Sequence, residues 1–224
     1  MPTTKTIVCL ANSFRPGGSC VAGIEYNNGV FGDWVRPVSN RGDQAINVDE
    51  KTYADGTQLA LLDVVEITFD AHHPEQHQTE NWVISAGVRW KKVGQLSPAQ
   101  AQDAVAPSNR ALWGPAGSTY NGRKDELKAI FANAATSSLI LIQPESATVE
   151  VIHNPFSGED HLWVSFIWAG VSHKIKLTDP VQFQRFNTGA GASHTLEYPI
   201  LCVSLAKVWE KRGTASKLVA GLIV

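Results

Sequence analysis

The sequence is poor in charge. Only 18% of its 224 residues are Asp, Glu, Lys or Arg, whereas soluble proteins usually carry about 25%. The 19 basic and 21 acidic side chains leave a formal net charge of −2. A chain this neutral, with 43% hydrophobic residues, is too apolar to be intrinsically disordered. It is also not basic enough to coat nucleic acid through charge alone.

Cysteines and long apolar runs are scarce as well. The three thiols belong to Cys9, Cys20 and Cys202, with no CxxC pair and no disulfide framework. This usage predicts a reducing, cytoplasmic location. The apolar run at residues 7–11 is shorter than that of a signal peptide. No stretch approaches the roughly 20 apolar residues of a membrane helix, so we expect no membrane association.

What the sequence does contain is a succession of short, β-branched and apolar segments separated by turn residues. Turn signals such as Pro16-Gly17 and Asn28-Gly29 follow the first two segments. The pattern is typical of all-β proteins. Within residues 1–95, strands are predicted at residues 5–13, 20–26, 34–39, 59–70, 80–85 and 88–93.

The middle of the chain has helical character. Ser97 and Pro98 suit the N-cap and the first position of a short helix, and residues 123–133 carry apolar side chains at helical spacing. The sequence therefore predicts strand-rich blocks at residues 1–95 and 137–224, joined by a partly helical connector at residues 96–136. In the last block, strands are predicted at residues 138–143, 147–153, 162–168, 171–177, 201–208 and 217–224, with a helix at 181–186 capped by Asp179.

Six sequence motifs, in their order and spacing, carry a family resemblance. They lie at residues 6–13, 18–23, 34–39, 62–67, 177–180 and 217–224. Together they resemble the dual OB-containing domain family of prokaryotic proteins. The resemblance implies a mainly β fold, with two tandem OB-like small β-barrels joined by the partly helical connector. It also implies a recognition role in a prokaryotic nucleic-acid or defence-related system.

Candidate ligand-binding residues lie mostly in the first block. Trp34 and Arg36 are two residues apart, so in a strand they share one face and combine a stacking surface with a phosphate or base-edge donor. A second basic and aromatic cluster contains Trp90 and Lys92. A tryptophan in a strand is nonetheless more often a core residue, and an arginine stem often covers a ring. The predicted ligand-binding set is Asn12, Ser13, Arg15, Trp34, Arg36, Ser39, Trp90 and Lys92.

Metal and catalytic signals are weaker. His72, His73 and His77 share one loop, but Pro74 argues against a helix there, and a zinc site needs further ligands. A solvated polar loop is the favoured interpretation. We find no serine elbow and no His-Glu-x-x-His motif, and Asp63 and Glu66 fall on opposite faces of a strand. The sequence thus predicts no metal, no cofactor and no catalytic residue.

Three functions follow as hypotheses. The leading one is a non-catalytic module that binds single-stranded DNA or RNA, or a modified nucleotide. The alternative is a protein-interaction adaptor whose exposed sheet edges dock a partner effector. A small enzyme that uses the histidine loop is the least favoured.

Overall fold

The computed structural model describes residues 1–224, which divide into two compact units, Met1–Ala104 and Val105–Val224. Ser97 caps a one-turn helix α1 (Pro98–Ala101) through a capping box with Gln100, as the sequence predicts. Residues 96–104 belong to the first unit and residues 105–136 to the second. The division into two blocks and a separate connector at 96–136 stays a prediction.

The first unit is a closed β-barrel. Its strands are β1 (Thr3–Arg15), β2 (Gly18–Asn27), β3 (Val30–Val38), β4 (Asp63–His72), β5 (Asn81–Ile84) and β6 (Lys91–Gln95). Their order is β1-β2-β3-β5-β4-β6, and β1 also pairs with β4, so that the first five strands close on themselves. The pair β3–β5 is parallel. This five-stranded closure is the connectivity of an OB fold.

Local sequence explains the shape of this barrel. Asn28 and Gly29 both have positive φ between β2 and β3, which is the two-residue turn that matches strand twist. Gly23 lies so close to β1 that an added Cβ would stand 2.1 Å from the carbonyl oxygen of Val8. The interior is filled by apolar side chains at alternate strand positions, among them Ile7, Cys9, Val21, Val35, Val65, Ile67 and Phe69.

The second unit contains nine strands and two short helices. The strands are β7 (Ala116–Gly117), β8 (Glu126–Lys128), β9 (Leu139–Ile142), β10 (Ser146–Asn154), β11 (Glu159–Trp168), β12 (Val171–Leu177), β13 (Ser193–Glu197), β14 (Ile200–Leu205) and β15 (Thr214–Ile223). The helices are α2 (Ala129–Ala132) and α3 (Pro180–Phe186). Asp179 caps α3 by accepting hydrogen bonds from the N–H groups of Val181 and Gln182, as predicted.

The connectivity of the first unit recurs here. Strands β9 and β10 follow one another with a break at Pro144, and β9 pairs with β14 while β10 pairs with β11. The two pieces together take the place that β1 holds in the first unit. Strands β12 and β15 form the parallel pair, and α3 lies between β12 and β14 in sequence. The mainly β fold with two OB-like barrels is therefore confirmed.

The helix predicted at residues 123–133 differs from the structure. Residues 123–133 were expected to be helical, but residues 126–128 form β8, which pairs with β15, and only Ala129–Ala132 is helical. Of the three apolar residues that carried the expectation, Leu127 is buried, whereas Ile130 is exposed and Phe131 is at the surface. No helix of residues 1–224 is long and apolar enough to cross a membrane.

Candidate functional site

The predicted pair Trp34 and Arg36 lies on the outer side of β3, opposite the core residue Val35. Arg36 is buried, and its guanidinium NH2 lies 3.2 Å from Oε1 of Glu80. Trp34 is half-buried and pairs with Ile24 of β2. Because Arg36 and Ile24 are both buried on this side, the strand presents only part of the Trp34 ring to solvent.

The other residues predicted near this pair are buried or contact neighbouring residues of the first unit. Asn12 is buried, donates from Nδ2 to the carbonyl of Leu59 and accepts a hydrogen bond from Nζ of Lys51 at 2.9 Å. Ser13 is buried on β1. The Arg15 guanidinium lies 3.6 Å from Sγ of Cys20. Ser39 is buried, and its Oγ accepts from the backbone N–H of Arg41.

The second predicted cluster is split between core and surface. Trp90 is only 2% exposed and packs into the core of the first unit, so its ring offers no open stacking face. Lys92 is partly exposed, and its Nζ forms an ion pair with Oδ1 of the buried Asp63 at 2.5 Å. The structure thus shows each predicted residue with local partners, and a ligand role for the eight stays a prediction.

The histidine loop packs against its own unit. His77 is buried, and the His72 ring lies against Trp82 with centroids 4.7 Å apart. Nε2 of His72 is 2.7 Å from the carbonyl of Thr79. Across residues 1–224, no group of three or more His, Cys, Asp or Glu side chains is arranged to hold a metal ion.

The second unit has exposed aromatic rings that the sequence analysis missed. Residues 155–158, called loop A, join β10 to β11 and carry Phe156, which is 86% exposed. Its ring meets the 85% exposed Tyr120 edge-on, with centroids 6.4 Å apart. The Asn154 side chain accepts a hydrogen bond from the N–H of Phe156 at the start of this turn.

A second exposed ring lies in residues 206–213, called loop B, which join β14 to β15. Trp209 is 56% exposed, and the Arg212 guanidinium carbon lies 5.8 Å from the centre of its ring. Backbone hydrogen bonds tie Trp209 to Thr214 and Gly213. The sequence signal was a tryptophan followed closely by Lys211 and Arg212 in a segment between two strands.

Basic side chains line the outer side of β12. Lys174 and Lys176 alternate there with inward residues, and the exposed Arg123 donates to Oγ of Ser172 at 3.0 Å. Nζ of Lys174 lies 2.8 Å from Glu150. Burial acts to raise the pKa of Glu150, but hydrogen bonds from Lys174 and Ser165 outweigh it and lower the pKa. Burial lowers the pKa of Lys176.

A groove of about 530 Å³ runs beside these strands. Ile167, which is largely exposed, lies in its wall between hydroxyl-bearing residues. The wall combines one apolar patch with many neutral hydrogen-bonding groups and contains a single carboxylate, that of Glu145. Its lining includes Ser146, Thr148, Ser165, Ile167 and Ser172.

A protein-family model supports the two-barrel architecture. The family model described as the dual OB-containing domain matches residues 5–222. A solved structure, the crystal structure of the tetrameric p202 HIN2, is 9% identical, with a TM-score of 0.28 over 97% of this chain and 87% of that one. No curated protein matches the chain. Because the family model covers nearly the whole chain, and both units have OB connectivity, the chain belongs to the dual OB-containing domain family.

Proposed function

We propose that this protein is a non-catalytic recognition module that binds single-stranded nucleic acid across its second unit. OB folds bind oligonucleotides with the face of their second and third strands and with the loops that follow the first and fourth strands. In the second unit these loops are A and B. Both present a solvent-exposed aromatic ring, Phe156 in one and Trp209 in the other, and this observation carries the proposal.

Charge supports the same surface. Arg123, Lys174 and Lys176 lie along the outer side of β12, the third strand of this barrel, and Arg212 lies beside Trp209. Exposed rings stack on bases of any sequence, while nearby cations contact the phosphates. The net charge of −2 restricts such binding to a local groove, because binding follows the distribution of charge rather than its sum.

The exposed rings themselves need an explanation. Leaving Phe156, Tyr120 and Trp209 in water forgoes the stabilisation of about 1.5–3 kcal/mol that burial of one large apolar side chain provides. Hydrogen bonds to the backbone of loops A and B hold the segments that carry Phe156 and Trp209. Stacking platforms for bases account for the exposure of these rings.

The proposal includes the setting that the family resemblance implies, a prokaryotic nucleic-acid or defence-related system in the cytoplasm. The ligand is single-stranded DNA or RNA, or a strand that carries a modified nucleotide. A strand of either kind offers the unpaired bases that exposed rings require.

The test is fluorescence anisotropy with labelled single-stranded DNA, single-stranded RNA and duplex DNA at low salt. We expect single strands to bind and the double variant Phe156→Ala/Trp209→Ala to bind them at least about 30-fold more weakly, because each of the two lost rings removes stacking of about 1–3 kcal/mol per base. Phe14→Ala, which removes an exposed ring from the first unit, is the matched control. Equal affinity of the double variant and the wild type, or no binding of any single strand, contradicts the proposal.

The adaptor hypothesis has one observation in its favour. Strand β13 ends the strand order of the larger sheet, and its side chains alternate between exposed and half-buried positions. Such an edge can accept a strand from another protein. Protein partners that survive nuclease treatment of an extract and are lost with Thr195→Pro, which changes the middle of β13, would favour this function over the proposed one.

A further inference from the structure

A groove of about 330 Å³ lies in the second unit, and none of the residues that line it belongs to a strand. One side of the groove is formed within residues 110–114. The other is formed within residues 131–137, at the end of α2 and in the segment before β9. Neither segment is among the strands and loops with which OB folds usually contact oligonucleotides. The barrel alone therefore does not explain this groove.

Trp113 lines the groove in a strained backbone conformation. Its φ is 59°, in the left-handed region that is unfavourable for a bulky side chain. Its indole N–H donates to the carbonyl oxygen of Ser137 at 2.7 Å, which joins the two segments. The indole therefore has no free hydrogen-bonding atom and contributes carbon surface alone. Strained residues persist where the surrounding structure holds them, and they are frequent at ligand sites.

Phe131 supplies a second aromatic ring. Helix α2 buries Ala132, whereas Phe131 is 38% exposed and lines the groove. The ring lies beside Gly114, where an added Cβ would stand 3.6 Å from Cβ of Phe131 and 3.7 Å from two of its ring carbons. Phe131 is thus packed on one side and open to solvent on another, which leaves part of the ring available to a ligand.

The charge of the groove is positive. Arg110 is exposed and is the only charged residue that lines it. Two hydrogen bonds hold the backbone of Arg110: its N–H donates to the carbonyl of Pro107 at 2.9 Å, and its carbonyl accepts from the indole N–H of Trp168 at 2.7 Å. A guanidinium presents a planar fork of donors that matches a phosphate group, and no carboxylate in the groove competes for it.

The groove is adjacent to loop B. The backbone N–H of Ala129 in α2 donates to the carbonyl of Gly213 in loop B at 2.8 Å. Val208, which directly precedes Trp209, packs against the same apolar cluster as Trp113. A strand that stacks on Trp209 therefore has this groove beside it.

We propose that the groove binds one nucleotide of a strand that also contacts loop B. The base stacks on Phe131, and the phosphate accepts hydrogen bonds from Arg110. The volume of about 330 Å³ is at the lower end of the range of about 300–1,000 Å³ for small-molecule pockets, which suits one nucleotide rather than several. This nucleotide site rests on the proposed function, and it adds to that function a contact outside the usual OB surface.

The experiment is fluorescence anisotropy of the whole protein with labelled single strands of DNA and RNA of about 16 nucleotides, the upper end of OB-fold site sizes. The variants are Phe131→Ala, Phe131→Leu, Phe131→Tyr and Arg110→Gln. Ile130→Ala is the matched apolar control, because Ile130 is in the same helical turn, is 74% exposed and does not line the groove. Lys128→Gln, which removes an exposed charge just before α2, is the matched charge control. Circular dichroism melting checks that each variant is folded.

We expect Phe131→Ala and Phe131→Leu to weaken binding at least about 5-fold, the lower limit for loss of one stacked base. Phe131→Tyr should keep the affinity, because it keeps the ring. Arg110→Gln should lower the slope of log K against log salt by about 0.7, the contribution of one phosphate contact to a single strand. Ile130→Ala and Lys128→Gln should bind as the wild type does.

Unchanged affinity of folded Phe131→Ala, or an unchanged salt slope of folded Arg110→Gln, overturns the inference. If Trp209→Ala still weakens binding in that case, the proposed function remains in place. Affinity that is kept by Phe131→Leu and lost by Phe131→Tyr indicates an apolar contact instead of stacking and also overturns the inference. Absence of strand binding by the wild type contradicts the proposed function itself.

Discussion

The guanidinium of Arg212 lies over the indole ring of Trp209, 5.8 Å from its centre, on a loop that is open to solvent. A cation over an exposed indole contributes about 0.5–1 kcal/mol. The pair therefore gives the ring a preferred orientation without burying it. It also places a positive charge beside a stacking surface, which is the combination that a nucleotide with its phosphate requires.

Replacement of Trp209 is the most direct test of this surface. Trp209→Ala removes the ring, and we expect it to weaken binding of single-stranded oligonucleotides by about 5- to 20-fold, in the lower range of base stacking. Trp209→Phe keeps a ring and should retain most of the affinity. Anisotropy titrations of both variants measure the difference. If phenylalanine is as damaging as alanine, the ring does not act by stacking.

The basic side chains should determine the dependence of binding on salt. Each phosphate contact to a single strand contributes about 0.7 to the slope of log K against log salt. Lys176→Gln/Arg212→Gln removes two candidate contacts, and we expect the slope to fall by about 1.4. Titrations between low and moderate salt measure the slope. Lys91→Gln, at an exposed position of the first unit, is the control, and an equal change there would exclude a specific role.

Arg36 and Glu80 form a buried ion pair, and we expect this pair to stabilise the first unit. Arg36→Ala or Glu80→Ala leaves a buried charge behind and should lower the free energy of unfolding by about 3–5 kcal/mol, whereas Arg36→Met/Glu80→Leu should cost much less. Urea denaturation followed by circular dichroism measures each value. If Arg36→Ala is as stable as the wild type and loses oligonucleotide binding, Arg36 is a ligand residue, as the sequence alone predicts.

The strands and turns were predictable because their causes are local. A continuous apolar run marks β1, and alternating apolar residues mark β12. Asn28 and Gly29 tolerate the positive φ angles that their turn requires, and the cap of α3 needs only Asp179 and its two successors. The closure of the second barrel was not predictable, because β9 and β10 pair with different strands far apart in sequence. Local pattern contains no information on such partners.

The same limit applies to the candidate site. The sequence predicts that Arg36 donates hydrogen bonds to a ligand. In the structure Arg36 is paired with Glu80, which is 44 residues away. Trp90 is likewise a core residue because distant strands cover it. No prediction was made for Phe156 and Trp209, because the exposure of an aromatic residue in a loop is known only once the packing around it is known. The sequence around Lys217 predicts a buried strand, but it does not show which groups surround the Lys217 ammonium.

His173 should make the protein sensitive to acid. Its pKa is lowered to about 4 in the folded state, against about 6.5 when unfolded. Between these values the unfolded chain binds more protons, so its contribution to stability is complete above pH 6.5 and is lost as the pH falls towards 4. We expect His173→Phe to be less destabilised than the wild type between pH 6.5 and 4.5. Urea midpoints at both pH values measure this, and parallel curves for the two proteins would contradict it.

Lys217 should affect the stability of the protein at alkaline pH, and its buried charge should lower the free energy of unfolding. Burial lowers its pKa from 10.5 to about 8, so between pH 8 and pH 10.5 the unfolded chain binds more protons and stability rises with pH. Below pH 8 the full cost of the buried charge is present. Lys217→Met removes this cost, and we expect its free energy of unfolding at pH 7 to exceed that of the wild type by about 1–3 kcal/mol.

The pH dependence separates this effect from better packing of methionine. Lys51 and Lys176 also have lowered pKa values, but they titrate in both proteins and cancel in the difference. The advantage of Lys217→Met should therefore shrink as the pH rises from 8 to 10, because the wild-type lysine then loses its charge. Urea denaturation at pH 7, 8.5 and 10 measures the difference. An advantage independent of pH indicates packing alone, and a destabilised variant at pH 7 shows that the ammonium has a partner within the protein.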